Sequence, residues 1–290
     1  MRVRGLVLAV VALLAGVLVP ARASAAPDAS TPCGVVASAP AKYDHVVWLV
    51  FENKSTGAVI GSSAAPYLSG LARKCGTAQG MVAETHPSLP NYLWMTAGSA
   101  KGVTDDGPPS QHHLTGPSIF TIVTDWRALE EGMPGNCFKT NAESYAVRHN
   151  PAAYFTDLAS CATRDVPLTS TPDLSAKLTM IEPNLCHSMH DCSVASGDAW
   201  AAEFIAKLLD SSQYRAGRTA IFVTFDEDDR TAGNHIPTIV ISPSVHAGVV
   251  VTTPFNHCNM QHTTIQLLTV APYRFAGCPN TSSMRAAFGL

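Results

Sequence analysis

Two strand-like runs in the sequence end in side chains that carry oxygen ligands. The run HVVWLVF is followed by Glu52 and Asn53, and the run TAIFVTF is followed by Asp226 and Glu227. Adjacent carboxylates repel one another unless a cation lies beside them, and hard divalent cations prefer carboxylate and carboxamide oxygens. The four side chains therefore predict a site for a divalent metal ion of open identity. The alternative is a solvated acidic loop, since two more aspartates follow the second run.

A serine lies at the start of a predicted helix in the stretch THPSLPNYLWMTAG. Ser88 is expected at the N-cap, and Pro90 in the first turn, where a missing N–H costs nothing. The N-terminus of a helix also stabilises an anionic phosphate. Beside a divalent metal the Ser88 hydroxyl would act as a nucleophile, and Asn91 would donate a side-chain N–H to a phosphate oxygen. The alternative is that Ser88 only caps the helix.

The elements that must position these side chains predict an α/β fold. The runs HVVWLVF, KLTMI, TAIFVTF and TIVIS are continuous, as in strands of a mainly parallel central sheet that helices cover on both faces. Helix candidates lie between them in APYLSGLARKC, PNYLWMTAG and GDAWAAEFIAKLLDSS. Polar clusters follow HVVWLVF, GMVAE, KLTMI and TAIFVTF. Because ligands bind outside the carboxyl ends of such strands, the clusters are expected to share one edge of the sheet.

The N-terminal segment has the order of a secretory signal peptide, which we assign to residues 1–25. Arg2 and Arg4 precede an apolar run, and small residues follow it. The alternative, an uncleaved anchor, is disfavoured because the run is shorter than the ~20 residues of a membrane span. We therefore expect a secreted, extracellular protein with an exposed lead-in at residues 26–42 and a single domain at residues 43–290.

The charge balance excludes several classes of partner. Removing residues 1–25 takes three arginines from the 19 basic residues and leaves 16 against 22 acidic ones. Nucleic-acid binding depends on clustered Lys and Arg, which the sequence lacks. It also lacks a polybasic patch that would hold an anionic membrane surface. We expect a monomer that binds no nucleic acid and has no stable membrane span.

The cysteines predict disulfide bonds. All eight follow the leader: Cys33, Cys75, Cys137, Cys161, Cys186, Cys192, Cys258 and Cys278. An even number after an export signal favours bridges, and pairing of sequence neighbours is our hypothesis among 105 possible pairings. The alternative for CHSMHDC is a zinc site made by Cys186, His187, His190 and Cys192, although no C-x-x-C accompanies it.

Several motifs together resemble one known family. These are HVVWLVFENKS, HPSLPNY, EGMPGNC, RHNPAAYF, PNLCHSMHDCS, and FDEDD followed by NHIPTIVISP. The sequence resembles the bacterial phosphoesterase family of the alkaline phosphatase superfamily, which contains secreted acid phosphatases and phospholipases C. The likeness is greatest to actinobacterial secreted acid phosphatases that act on phosphoinositides. It implies an alkaline-phosphatase-like fold with disulfide-braced loops, and metal-binding roles for the four strand-end residues named above.

The resemblance also implies roles for individual residues. SLPN is similar to the T-F-P-N nucleophile motif of related phosphodiesterases, which makes Ser88 the nucleophile and Asn91 a phosphate-binding amide. His149, His190 and Asp191 fall in family motifs. We expect His190 to protonate the leaving group or orient the phosphate, and His149 and Asp191 to bind the substrate.

The expected activity is metal-dependent hydrolysis of phosphate monoesters, with a phospholipid headgroup among the candidate substrates. One alternative is a phosphodiesterase of the phospholipase C type. A second is a secreted binding module without catalysis, suggested by a set of aromatic residues: Trp126, Tyr145, Tyr154 and Trp200. A serine esterase is disfavoured because the sequence lacks G-x-S-x-G.

Overall fold

The structure is a computed structural model that describes residue 1, residues 27–268, residue 271 and residues 273–290. The signal peptide assigned to residues 1–25 lies outside these residues, apart from Met1. No helix in the described part of the chain has the length and apolar character needed to cross a membrane.

A single eight-stranded sheet forms the centre of the described chain. Its strands are β1 (His45–Phe51), β2 (Gly76–Ala78), β3 (Trp126–Glu130), β4 (Asp165–Pro167), β5 (Leu178–Glu182), β6 (Thr219–Phe225), β7 (Ile239–Ile241) and β8 (Val250–Val251). The spatial order is β4-β3-β5-β1-β6-β7-β2-β8. All neighbours are parallel except β7, which runs antiparallel to β6 and β2. The mainly parallel sheet confirms the predicted fold class.

Helices surround this sheet. They are α1 (Thr56–Val59), α2 (Pro66–Lys74), α3 (Ser88–Ala97), α4 (Ile119–Ile122), α5 (Cys161–Arg164), α6 (Val194–Asp210), α7 (Ser212–Arg215), α8 (His257–Leu267) and α9 (Arg285–Phe288), with 3₁₀ turns at Val147–His149 and Pro151–Tyr154.

The side chains of β1 show that helices cover both faces of the sheet. Successive side chains of a strand point to opposite faces, so Trp48 and Phe51 lie on different sides. The Trp48 indole N–H donates to Thr264 Oγ1 of α8, at 2.9 Å. The Phe51 ring packs edge-on against Trp200 of α6. Burial on both faces explains why β1 reads as a continuous apolar run.

The carboxyl ends of four neighbouring strands lie at one edge, and for three of them, β1, β5 and β6, the sequence predicted polar residues there. In the register of the sheet, Phe51 at the end of β1 lies beside Phe225 at the end of β6. On the other side of β1, the terminal residues Glu130 of β3 and Glu182 of β5 are register partners. Acidic residues therefore end or follow four adjacent strands.

Two local expectations differ from the structure. GMVAE is not a strand, because the sheet takes up the preceding segment as β2, and Met81 and Val82 form only isolated bridges. The strand β3 has no counterpart in the prediction. Its sequence WRALE contains Arg127 and Glu130, and so lacks the continuous apolar run that marks the other central strands.

The cysteines form four disulfides between sequence neighbours: Cys33–Cys75, Cys137–Cys161, Cys186–Cys192 and Cys258–Cys278. This confirms the pairing hypothesis. The zinc alternative is wrong, because the sulfurs of Cys186 and Cys192 are bonded to each other. The first bridge also fastens the lead-in segment to the end of α2.

Removal of a bridge that closes a longer loop is expected to destabilise the protein more, because the entropy of the unfolded chain depends on the logarithm of loop length. Cys33–Cys75 spans 42 residues and Cys186–Cys192 spans 6. If bridges act through the entropy of the unfolded chain, Cys33→Ser with Cys75→Ser costs about 4 kcal/mol, and Cys186→Ser with Cys192→Ser about 2 kcal/mol. Urea unfolding of both double variants measures this difference. Equal losses, or a larger loss for the shorter loop, would contradict the chain-entropy explanation.

Candidate active site

Glu52 and Asn53 meet Asp226 where β1 and β6 end side by side. Glu52 and Asp226 are fully buried. Asn53 has a φ of 53°, a left-handed conformation that Asn tolerates better than most residues. Its backbone N–H donates to Asp226 Oδ1 at 3.1 Å. This turn therefore folds the Asn53 amide back over the end of β6.

The Asn53 carboxamide lies between two acids. With its nitrogen turned towards them, it would donate to Asp226 Oδ1 and Glu227 Oε1, both at 3.3 Å. With its oxygen turned towards them, three oxygen ligands converge and a cation is needed to stabilise them. Asp226 Oδ2 is buried without a hydrogen-bond partner among the described residues. The donor set and this unpaired oxygen fit a divalent metal ion.

The raised pKa values of the three acids also fit a divalent metal ion at this position. Burial raises the pKa of Glu52 well above its usual range, and the Asp226 charge adds to the effect. Burial and the neighbouring Glu227 raise the pKa of Asp226 to about 7, and burial raises that of Glu227 to about 7. Within the described chain, no Lys or Arg nitrogen lies within 4.0 Å of these three carboxyls. A bound cation would offset their repulsion.

Ser88 contacts the metal-ligand candidate Glu52. The N-cap of α3 is Pro87, so the predicted cap position is wrong by one residue, and Ser88 is the first helical residue. Its buried hydroxyl donates to Glu52 Oε2 at 3.1 Å. At the same end of the helix, the Leu89 N–H donates to Asp106 Oδ1 at 2.9 Å. Ser88 is therefore directed at the strand-end carboxylate and makes no capping hydrogen bond.

Asn91 joins the start of α3 to the end of β6. Its Nδ2 donates to Glu227 Oε2 at 3.1 Å and to Thr85 O at 2.8 Å, and its Oδ1 accepts from Thr85 N–H at 3.0 Å. The structure thus brings Asn91 to the site, with its amide hydrogen bonds made to protein groups. The role in binding phosphate stays a prediction.

His149 contacts the same Glu52 oxygen as Ser88. Its Nε2 is 3.2 Å from Glu52 Oε2, and its ring stacks on Tyr92 at a centroid distance of 5.5 Å. Burial, followed by the nearby Arg148 charge, lowers the pKa of His149 well below its usual range. His149 is therefore a neutral ring beside the serine-binding oxygen of Glu52.

His190 and Asp191 complete the predicted set. The His190 ring centroid is 5.7 Å from that of His149, and His190 Nδ1 is 2.6 Å from Asp191 Oδ1. Arg148 Nη2 lies 3.0 Å from His190 Nε2. Because a guanidinium only donates, Nε2 accepts and Nδ1–H donates to Asp191. Glu52, His149 and His190 have the spacing of metal ligands, but the Arg148 charge disfavours a second cation among them.

Sequence reasoning assigned no role to several residues of the site. Arg148 is one, and His86, whose Nδ1 is 3.0 Å from Glu227 Oε2, is another. His86 precedes Ser88 by two residues, and this proximity is a sequence feature that could have identified it. His187 lies apart, with Nδ1 2.8 Å from Glu131 Oε2 and its ring stacked on Trp200. It braces the loop.

His257, which had no assigned role, supports the end of β6. Its Nδ1 is 2.6 Å from Glu84 Oε2, and its Nε2 is 3.0 Å from the carbonyl oxygen of Phe225, the residue before Asp226. Burial opposes protonation of this ring, but the Glu84 charge and these hydrogen bonds outweigh it and raise the pKa of His257. No local pattern marks the pair, because 173 positions separate its members.

The Phosphoesterase family model matches residues 61–270 of the chain. The phosphatidylinositol-3-phosphatase of Mycobacterium tuberculosis is 30% identical over 269 residues, which cover 90% of this chain and 87% of that protein. An acid phosphatase of Aspergillus fumigatus is 28% identical over 165 residues, covering 50% of this chain and 37% of that protein. The chain thus spans less than half the length of this fungal relative.

Solved structures of low sequence identity share the fold. An alkaline phosphatase superfamily protein from Vibrio parahaemolyticus has a TM-score of 0.56 and 15% identity, covering 80% of this chain and 69% of that chain. The lipoteichoic acid synthase LtaP from Listeria monocytogenes has a TM-score of 0.53 and 12% identity, covering 81% of this chain and 74% of that chain. The sheet and its helices are therefore of the alkaline phosphatase type.

Asp226 and Asp228 are expected to respond to pH in opposite directions in chelator-treated protein. A carboxyl with a raised folded-state pKa loses its contribution to stability as the pH rises from its unfolded pKa, near 4, through its folded pKa, near 7 for Asp226. Asp226→Asn should therefore raise the melting temperature at pH 8 and have little effect at pH 4.

Asp228 is the matched control. Burial opposes its ionisation, but the N–H groups of Ala232, Arg230 and Asn234 outweigh burial and hold its pKa below the usual range. Its stabilising effect is present at neutral pH and is lost as the pH falls through the lowered pKa, so Asp228→Asn should lower the melting temperature at pH 8. Thermal unfolding between pH 4 and 8 tests both. If the melting temperatures of both variants changed in the same direction at pH 8, the opposite pKa shifts assigned to Asp226 and Asp228 would be contradicted.

Proposed function

Because the chain belongs to the Phosphoesterase family, we propose that it is a metal-dependent phosphatase that hydrolyses phosphate monoesters with Ser88 as its nucleophile. The observation that carries the proposal is the 3.1 Å hydrogen bond from the buried Ser88 hydroxyl to Glu52. A serine that donates to a candidate metal ligand at the carboxyl edge of a parallel sheet is placed for attack on a bound ester.

Glu52, Asn53, Asp226 and Glu227 would hold the cation. When bound, a divalent ion there supplies positive charge that favours the ionised form of a serine hydroxyl and the charge of a phosphate group. The unpaired Asp226 oxygen and the raised pKa values of the acids support this role.

The proposed reaction has two steps. The Ser88 oxygen forms a bond to phosphorus as the ester bond breaks, and the Ser88 proton leaves towards Glu52 Oε2, which accepts the Ser88 hydrogen bond in the structure. The alcohol departs with a proton. Water then attacks the phosphoserine, the phosphorus–Oγ bond breaks, and inorganic phosphate leaves as Ser88 recovers its proton.

His190 is the proposed source of the proton for the leaving group, with Asp191 orienting its ring through Nδ1. Nε2 accepts a hydrogen bond from Arg148 and carries no proton, so this role requires Arg148 to turn towards the incoming phosphate and Nε2 to take up a proton from solvent. His190 then passes that proton to the oxygen of the leaving alcohol. Asn91 and His149, at the serine end of the site, are proposed to contact phosphate oxygens as the substrate binds.

The substrate class proposed is a phosphate monoester, with a phospholipid headgroup as a candidate, because a relative that matches 90% of this chain is a phosphatidylinositol-3-phosphatase. We also propose that the enzyme is exported and acts as a monomer outside the cell. The four disulfides support the extracellular location, since such bridges persist in oxidising compartments.

Ser88→Ala is expected to lower kcat for p-nitrophenyl phosphate by several orders of magnitude, since it removes the nucleophile and leaves the phosphate-binding groups in place. Acid-quenched wild-type enzyme should carry phosphate on the peptide that contains THPSLPNY. The diester bis(p-nitrophenyl) phosphate should react more slowly than the monoester, and chelation should abolish both reactions.

Ser211→Ala is the control. The Ser211 hydroxyl caps α7 by accepting from Tyr214 N–H at 3.1 Å, so the variant should lose about 1 kcal/mol of stability and keep its activity. If Ser88→Ala keeps a tenth of the wild-type turnover, direct attack by water replaces the covalent mechanism. Faster turnover of the diester would favour the phospholipase C type.

A further inference from the structure

Two side chains of α3 reach the two oxygens of one carboxylate. Ser88 and Tyr92 are four residues apart, a spacing that places them on the same face of a helix. The Ser88 hydroxyl donates to Glu52 Oε2, and the Tyr92 hydroxyl donates to Glu52 Oε1. The helix therefore fixes both oxygens of Glu52, one with the proposed nucleophile and one with a tyrosine.

Tyr92 also contacts a second carboxyl group. Its hydroxyl oxygen is 2.9 Å from Glu182 Oε2, at the end of the strand β5 that pairs with β1. Tyr92 is completely buried, and Glu182 is 2% exposed. The phenol has one O–H hydrogen, which goes to Glu52, so in the second contact the Glu182 carboxyl carries a proton and donates it to the Tyr92 oxygen. Tyr92 thereby forms a bridge that links Glu52 to Glu182. Neither acid can turn without breaking this bridge.

The consequence concerns the orientation of Glu52. A ligand carboxylate that rotates freely spends part of its time with neither oxygen directed at the ion, whereas a hydrogen bond to one oxygen removes that freedom. With Oε1 held by Tyr92, Oε2 stays turned towards Ser88. The bridge therefore acts on the same oxygen that the proposed reaction uses.

We propose that Tyr92, seated on Glu182, is a positioning residue that orients Glu52 for metal binding and for contact with Ser88. The inference rests on the proposed metal site. Tyr92 also stacks on His149, so a purely packing role is the alternative explanation of its burial. Tyr92→Phe separates the two, because it keeps the ring and removes only the hydroxyl.

The test is titration of chelator-stripped protein with Zn²⁺, Mn²⁺ and Ca²⁺ in a calorimeter. Tyr92→Phe should weaken binding of the tightest metal roughly ten- to a hundredfold, the usual effect of losing a partner of a metal ligand. Glu182→Gln should retain near-wild-type affinity for the metal, because its carboxamide can still hydrogen-bond to Tyr92. Glu182→Leu should weaken metal binding as Tyr92→Phe does. With metal at saturation, kcat should fall more than KM rises in Tyr92→Phe.

Tyr145→Phe is the matched control. Tyr145 is also a buried tyrosine, and its hydroxyl donates to Phe138 O at 2.9 Å and accepts from Asn150 Nδ2 at 3.0 Å. Its loss should lower the melting temperature and leave the metal dissociation constant unchanged. Tyr92→Phe protein that binds metal as tightly as wild type would overturn the positioning role alone. Wild-type protein that binds none of the three metals would overturn the proposed metal site, and the inference with it.

Discussion

Repulsion among the buried carboxyls at the ends of β1 and β6 is the constraint on which the rest of the site depends. Glu52, Asp226 and Glu227 are withdrawn from water, and their raised pKa values record how unfavourable their ionised forms are without a cation. A divalent ion at the proposed site would offset this repulsion and take the same oxygens as ligands. In the proposed function, the turn at Asn53 supplies a further ligand for this ion, and Ser88 at the start of α3 supplies the nucleophile beside it.

The fold supplies rigidity where a metal site tolerates little positional error. Parallel pairing aligns the ends of β1 and β6, so that their terminal side chains approach without a long loop. Each end has a further support: the imidazole of His257 donates to the carbonyl that precedes Asp226, and the hydroxyl of Tyr92 donates to Glu52. These supports lie in α8 and α3, which pack against each other.

The sequence predicted those parts of the fold and site that depend on local pattern. Continuous apolar runs marked β1, β5, β6 and β7, and the polar residues after β1, β5 and β6 marked the edge. Tyr92 and Glu182 escaped notice because their contact depends on how α3 docks against β5, which no local pattern records. The N-cap was misplaced by one residue because Pro87 itself takes the extended conformation of a cap.

Anomalous diffraction from crystals saturated with Zn²⁺ or Mn²⁺ is the sharpest test of the proposed metal site. One strong peak per chain is expected, bounded by Glu52, Asn53, Asp226 and Glu227, with the Asn53 oxygen turned towards the ion and the Ser88 hydroxyl beside it. A peak elsewhere in the chain, or no peak with the Asn53 nitrogen hydrogen-bonded to both acids, would contradict the proposed site.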